Sequence, residues 1–165
     1  MMKKRFFAFV LQLLILFILG GCSSTPKDAS NTLKITQADG KMIQEYLDTK
    51  TNDISAPNQK GKMYSAFKIF GTDSNKIYVW MLKYEYLGQG KELTNGVSIP
   101  IVLYIESKDG EIEIKNHKYP KDGEGYGKSL KKLFPQNVID KMNNNHNEFI
   151  EQLEEIIQNR IKEDV

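Results

Sequence analysis

Between Met63 and Tyr119 the apolar residues of this chain recur at every second position, and after Asn145 the spacing changes to every third or fourth. A period of two is that of a strand and a period near 3.6 that of a helix. The first pattern predicts strands over Met63–Phe70, Lys76–Leu87, Val97–Glu106 and Glu111–Tyr119. They are parted by Gly71-Thr72-Asp73-Ser74-Asn75, by the stretch Gly88–Gly96 and by Lys108-Asp109-Gly110, all rich in turn residues. In the second run Tyr78, Trp80, Leu82, Tyr84 and Tyr86 share one face, and Ile77, Val79, Met81, Lys83 and Glu85 share the other. The third sets Ile99, Ile101, Leu103 and Ile105 against Val102 and Tyr104. Strands apolar on both faces belong in the middle of a sheet. The fourth alternates Ile112 and Ile114 with Glu111, Glu113 and Lys115, which places it at an edge with one side in water. The outer strands are therefore expected to be the first and the fourth.

Helical spacing appears on both sides of this block. Met42, Ile43, Tyr46 and Leu47 give one apolar face to a helix over Gln37–Asp48, with Thr36 or Asp39 as its cap. Thr51–Gly61 reads as a loop. Lys128–Phe134 is a short helix, Pro135 opens another through Met142, and Asn143-Asn144-Asn145 interrupts it. The last helix carries Phe149, Ile150, Leu153, Ile156, Ile157 and Ile161 on one stripe, capped by Asn145 or Asn147. Burying one such side chain is worth about 1.5 to 3 kcal/mol, so the stripe needs a partner, and one face of the sheet supplies it. The expected fold class is α+β: one N-terminal helix, a roughly four-stranded antiparallel meander sheet, and C-terminal helices packed on it.

The N-terminus has a different pattern. Met1-Met2-Lys3-Lys4-Arg5 precedes a fourteen-residue run from Phe6 to Leu19 that is apolar except for Gln12. Spanning a bilayer takes about 18 or more apolar residues, so the run reads as an export signal. Its end, Leu19-Gly20-Gly21-Cys22, resembles the lipobox of bacterial lipoproteins. That resemblance implies that the Cys22 thiol receives diacylglycerol and becomes the mature N-terminus. Residues 1–21 are thus expected to be a signal peptide, 22–31 a lipidated N-terminus and flexible tether, and 32–165 a single α+β domain. Ser23–Asn31 is small and polar with nothing to bury. Two acyl chains, at about 0.8 kcal/mol per buried methylene, suffice for stable anchoring. The expected location is the outer face of the cell membrane, with the membrane itself as a partner through the lipid on Cys22.

This assignment changes how the charge is read. The full chain is formally +2, but residues 1–21 hold Lys3, Lys4 and Arg5, and without them 20 Lys and Arg face 21 Asp and Glu. No basic field remains to argue for nucleic acid, and no nucleic-acid partner is expected. Cys22 is the only cysteine, which excludes an intramolecular disulfide and a thiolate metal cluster.

Candidate chemistry is sparse. Gly123-Glu124-Gly125-Tyr126-Gly127-Lys128-Ser129 ends like a phosphate-binding loop, yet Gly123 and Gly127 enclose three residues where four are needed, and Asp122 stands at the required glycine. No nucleotide is expected. Gly88-Gln89-Gly90 reads as a hairpin loop. His117 and His146 read as surface residues, Ser129 lacks a nucleophile elbow, and Glu111 with Glu113 fits a solvated edge better than an enclosed acid pair. No catalytic residue, metal ligand or cofactor is assigned. Tyr84 and Tyr86, at the far end of the aromatic row, are the candidate contacts for a protein or glycan of the envelope.

Five segments, Phe67-Lys68-Ile69-Phe70-Gly71-Thr72, Ile77-Tyr78-Val79-Trp80, Ser98-Ile99-Pro100, Pro120-Lys121-Asp122-Gly123 and Lys131-Lys132-Leu133-Phe134-Pro135, resemble an uncharacterised extracytoplasmic domain of Firmicutes. That domain occurs as a stand-alone lipoprotein and at the C-terminus of membrane metallopeptidases similar to β-lactam sensors. The resemblance covers about Met63–Met142 and carries no catalytic residue across, because the peptidase's His-Glu-x-x-His motif is absent from this chain. It implies a sensory or binding role at the cell surface. The expected function is a membrane-anchored binding or sensory lipoprotein; a cell-envelope hydrolase and an inhibitor or immunity lipoprotein are the alternatives.

Overall fold

A computed structural model describes residues 33–88, 93–108 and 111–164. The signal segment, Cys22, the tether, residues 89–92 of the second loop and the Asp109-Gly110 turn lie outside the described residues. Helix α1 (Gln37–Lys50) is followed by strands β1 (Lys62–Asp73), β2 (Lys76–Tyr86), β3 (Leu93–Lys108) and β4 (Glu111–Lys118). A 3-10 turn at Gly123–Gly125 then leads into α2 (Tyr126–Leu133), α3 (Gln136–Asn143) and α4 (His146–Asp164). The strands form one antiparallel sheet in the order β1-β2-β3-β4. The α+β class, the meander and its two outer strands agree with the sequence pattern.

Both faces of the sheet are covered. Ile77, Val79, Met81, Ile101 and Leu103 meet Ile43 and Leu47 of α1 on one side. On the other, Ala66, Phe70, Tyr78 and Leu82 meet Phe134, Val138, Met142, Phe149, Leu153 and Ile157 of the C-terminal helices. Alternation along β2 thus feeds two separate cores, which is why it is buried along most of its length. Helix α1 starts with the capping box of Thr36 and Asp39: Asp39 N–H donates to the threonine hydroxyl at 3.2 Å, and Thr36 N–H to the carboxylate at 2.8 Å.

Several boundaries differ from the sequence reading. β1 runs on to Asp73 because a bulge between Ile69 and Gly71 absorbs one residue, and the turn shrinks to Ser74 and Asn75. β3 begins at Leu93, not Val97, since a second bulge between Tyr84 and Glu85 lets Thr94 and Leu93 continue the ladder. The apolar stripe of α4 is narrower than expected: Phe149, Leu153, Ile157 and Ile161 are buried at strict i, i+4 spacing, whereas Ile156 is 43% exposed.

Candidate functional site

Helix α1 presents three stripes. Ile43 and Leu47 point into the core; Gln44 and Asp48 lie to one side; Met42, Glu45, Tyr46 and Thr49 lie to the other, as i, i+3, i+4 and i+7 spacing dictates. The Gln44 and Asp48 stripe meets β1. Ser65 donates its N–H to Asp48 Oδ1 at 2.9 Å and its hydroxyl at 2.7 Å. Arg160 of α4 donates to both Asp48 oxygens, at 3.1 and 2.7 Å, and to the Ser65 carbonyl at 2.6 Å. Gln44 Nε2 adds a bond to that carbonyl at 3.0 Å. Both backbone groups that Ser65 turns away from β2 are therefore taken by side chains of two helices from opposite faces of the sheet.

The Met42 stripe faces β4, and the result is different. Met42, Glu45, Tyr46, Thr49 and Lys50 line an open groove of about 260 Å³ with Glu113 and Ile114. Ile105 donates its N–H to Asn75 on the β2 side, so its β4 partner Ile114 directs its own N–H and C=O to the free edge, and alternation gives Ile112 the same outlook. Among the described residues nothing accepts from or donates to these groups. Three residues on, the edge-facing N–H of His117 is capped by the Asn116 side chain at 2.8 Å.

His117 corrects the expectation of a surface histidine. Its side chain is 9% exposed and held from three directions: Tyr46 Oη lies 2.9 Å from Nδ1, both Asp53 oxygens lie 3.1 Å from Nε2, and Tyr119 stacks on the ring. A neutral imidazole protonated on Nε2 satisfies both bonds, donating to Asp53 and accepting from the phenol. The row has the outline of a proton relay, yet burial, with Asp53's negative charge, pushes the Tyr46 phenol above its ordinary pKa. Its bond to His117 joins α1 to β4. His146 is half-buried and packs edge-on against Trp80 and Phe149.

Two charges on the α1 face of β2 are fully buried. Lys83 is 0% exposed and donates to Thr51 Oγ1 at 3.0 Å. Burial pulls its pKa below the ordinary lysine value, against the opposing influence of Asp48 and Asp53. Glu85 accepts from the backbone N–H groups of Asn58, Gln59 and Gly61 at 2.8, 2.8 and 2.7 Å. Burial alone would raise its pKa, but these amides together with Thr94 hold it below the usual carboxylate range. A Cβ at Gly61 would stand 2.6 Å from Glu85 Cγ, so the loop closes on this carboxylate only with glycine there. Sequence reasoning placed both charges on the Ile77, Val79 and Met81 face, which was the signal that they are buried.

Tyr86 is 8% exposed and packs edge-on against Tyr64. Tyr84 is half-buried and lies with Leu93 in a cleft of about 400 Å³ beside Glu151, Glu154 and Glu155. Burial and the neighbouring Glu154 raise its pKa. Ser129 serves the start of α2: its hydroxyl donates to the carbonyls of Gly125 and Tyr126 at 2.8 and 2.9 Å and accepts from Lys121 N–H at 2.9 Å. Compared with known proteins, the chain matches no family model, no curated protein and no solved structure. No helix of the described residues is long and apolar enough to cross a membrane.

Proposed function

We propose that this chain is an extracytoplasmic lipoprotein, anchored to the membrane through Cys22, whose α+β domain is a binding or sensory module. The observation that carries the reading is Leu19-Gly20-Gly21-Cys22, with the chain's sole cysteine, closing the hydrophobic segment that begins at Phe6. The likeness to an extracytoplasmic lipoprotein domain supports the same placement. The domain adds surfaces suited to recognition: the α1–β4 groove and the cleft beside Tyr84 are open, and the titratable residues His117, Glu85 and Asp48 are held in bonds that join one element to another. Envelope proteins, with Tyr84 at the contact, are the partners this reading favours.

The test is labelling of the full chain in a bacterial host with a radioactive fatty acid, followed by membrane fractionation. The expected result is label in the membrane fraction, and loss of label with release from the membrane in Cys22→Ser. An unlabelled wild-type chain overturns the anchor.

A further inference from the structure

The α1–β4 groove combines two things that an extended peptide requires. One is a row of free backbone groups at Ile112 and Ile114 on the outer edge of β4, where an added strand forms main-chain hydrogen bonds. The other is an apolar floor of Met42, Tyr46 and Ile114 directly beside that edge, where alternate side chains of such a strand are received. Tyr46 is fixed in this floor by its bond to His117, so the groove is formed before anything enters it. The occupant's other side chains fall on the opposite face of the β3–β4 hairpin, beside Glu111 and Glu113. Opposite charges directly across a strand pair are stabilising and like charges are not. Glu45 on the rim of the groove adds a carboxylate without an ion-pair partner among the described residues.

We infer that the α1–β4 groove binds an extended peptide segment with alternating apolar and basic residues, added to β4 as a fifth strand. This rests on the reading of the domain as a binding module and names its partner class. The apolar residues seat against Met42, Tyr46 and Ile114, and the basic ones face Glu111, which has no ion-pair partner among the described residues, and Glu113, which they share with Lys115 at 2.6 Å. At Ser65 the edge of β1 is closed to such a strand, because Asp48, Arg160 and Gln44 already occupy the outward groups of that residue.

The probe is a blocked Val-Lys-Val-Lys-Val-Lys peptide titrated onto the full chain in detergent, read by calorimetry and by hydrogen exchange of individual amides. Saturable binding is expected, with slowed exchange at Ile112 and Ile114 and none at Ser65. Ile114→Pro removes an edge-facing N–H that β3 does not use, and binding should fall at least tenfold with circular dichroism unchanged. If that variant fails to fold, Met42→Lys, which puts a like charge on the groove floor, should give the same loss. A Val-Glu peptide should bind at least tenfold more weakly than Val-Lys. The inference is overturned by no saturable binding, by equal affinity for the two peptides, by binding that leaves Ile112 and Ile114 exchange unchanged, or by a concentration-dependent dimer in sedimentation that Ile114→Pro abolishes, since the occupant is then a second copy. Each outcome leaves the fatty-acid labelling result untouched, so failure of the peptide site and failure of the anchored-module reading are told apart.

Discussion

At Ser65 the outer edge of β1 meets a carboxylate, a guanidinium and a carboxamide, whereas at Ile114 the outer edge of β4 meets an open groove. Both edges lie beside the same helix, and the difference arises from which residues its two sides carry. Gln44 and Asp48 are long and polar enough to imitate a neighbouring strand, accepting one N–H and donating to one carbonyl. Met42, Tyr46 and Thr49 make no such bonds to the strand backbone. A bare edge invites another chain, and one common protection is to bond it or cover it. Here the β1 edge is plugged through side chains at Ser65, and the β4 edge carries a bulge, the Lys115 charge and the Asn116 cap.

The largest effect should come from removing the β1 plug. Asp48→Ala leaves Arg160 without its bidentate partner and the Ser65 N–H without an acceptor. The expected loss is about 3 kcal/mol, the low end for a buried pair because both side chains keep some contact with water. Arg160→Ala should cost less, and the double variant less than the sum of the two, in urea unfolding. Additive losses would show that the plug is not one unit.

Lys83→Met tests the buried charge between the two edges and should stabilise the protein by about 1 to 2 kcal/mol near neutral pH. The pH dependence fixes the sign. Lys83 is lowered in the folded protein, so between its folded value and about 10.4 the unfolded chain binds the proton and the folded one does not. Within that window the stability contributed by this group rises with pH, and it levels off above the unfolded value. The Met variant should lack this rise; if both proteins show it equally, another group is responsible.

Much of the fold is legible in the sequence because it rests on periodicity. Two-residue alternation identified four strands and their order, and the run of i, i+4 residues identified α4. What periodicity does not carry is the β-bulge. The extra residues, Phe70 in β1 and Asn95 in β3, lengthened two strands past their turn signals, since a bulge keeps the ladder while breaking the alternation. The polar contacts were harder still. Asp48 and Arg160 are separated by 112 residues and Tyr46 and His117 by 71, and their pairing depends on which shoulder of α1 faces which strand. His117 read as exposed because β4 is an edge strand, yet α1 and Asp53 cover it.

Tyr46→Phe separates the groove's floor from its anchor. The ring remains and the bond to His117 is lost, at about 1 kcal/mol. The loss should appear in urea unfolding with the exchange of Ser65 unchanged, because the two sides of α1 share no hydrogen bond. If Ser65 exchange also accelerates, the two edges are coupled through the helix, and the contrast between them is weaker than their geometry implies.

The smallest effect should follow Asn116→Ala. Its side chain caps the one edge-facing N–H of β4 that has a partner, and water can replace it, so stability should change by no more than about 0.5 kcal/mol. The informative readout is local. Exchange at His117 N–H should accelerate while Ser65 and the core of β2 stay protected, which would make the free edge of β4 one residue longer. An Asn116→Ala loss approaching that of Asp48→Ala would mean that β4 too is closed by its side chains, and the asymmetry of the sheet would then lie in the chemistry of its two plugs rather than in the presence of only one.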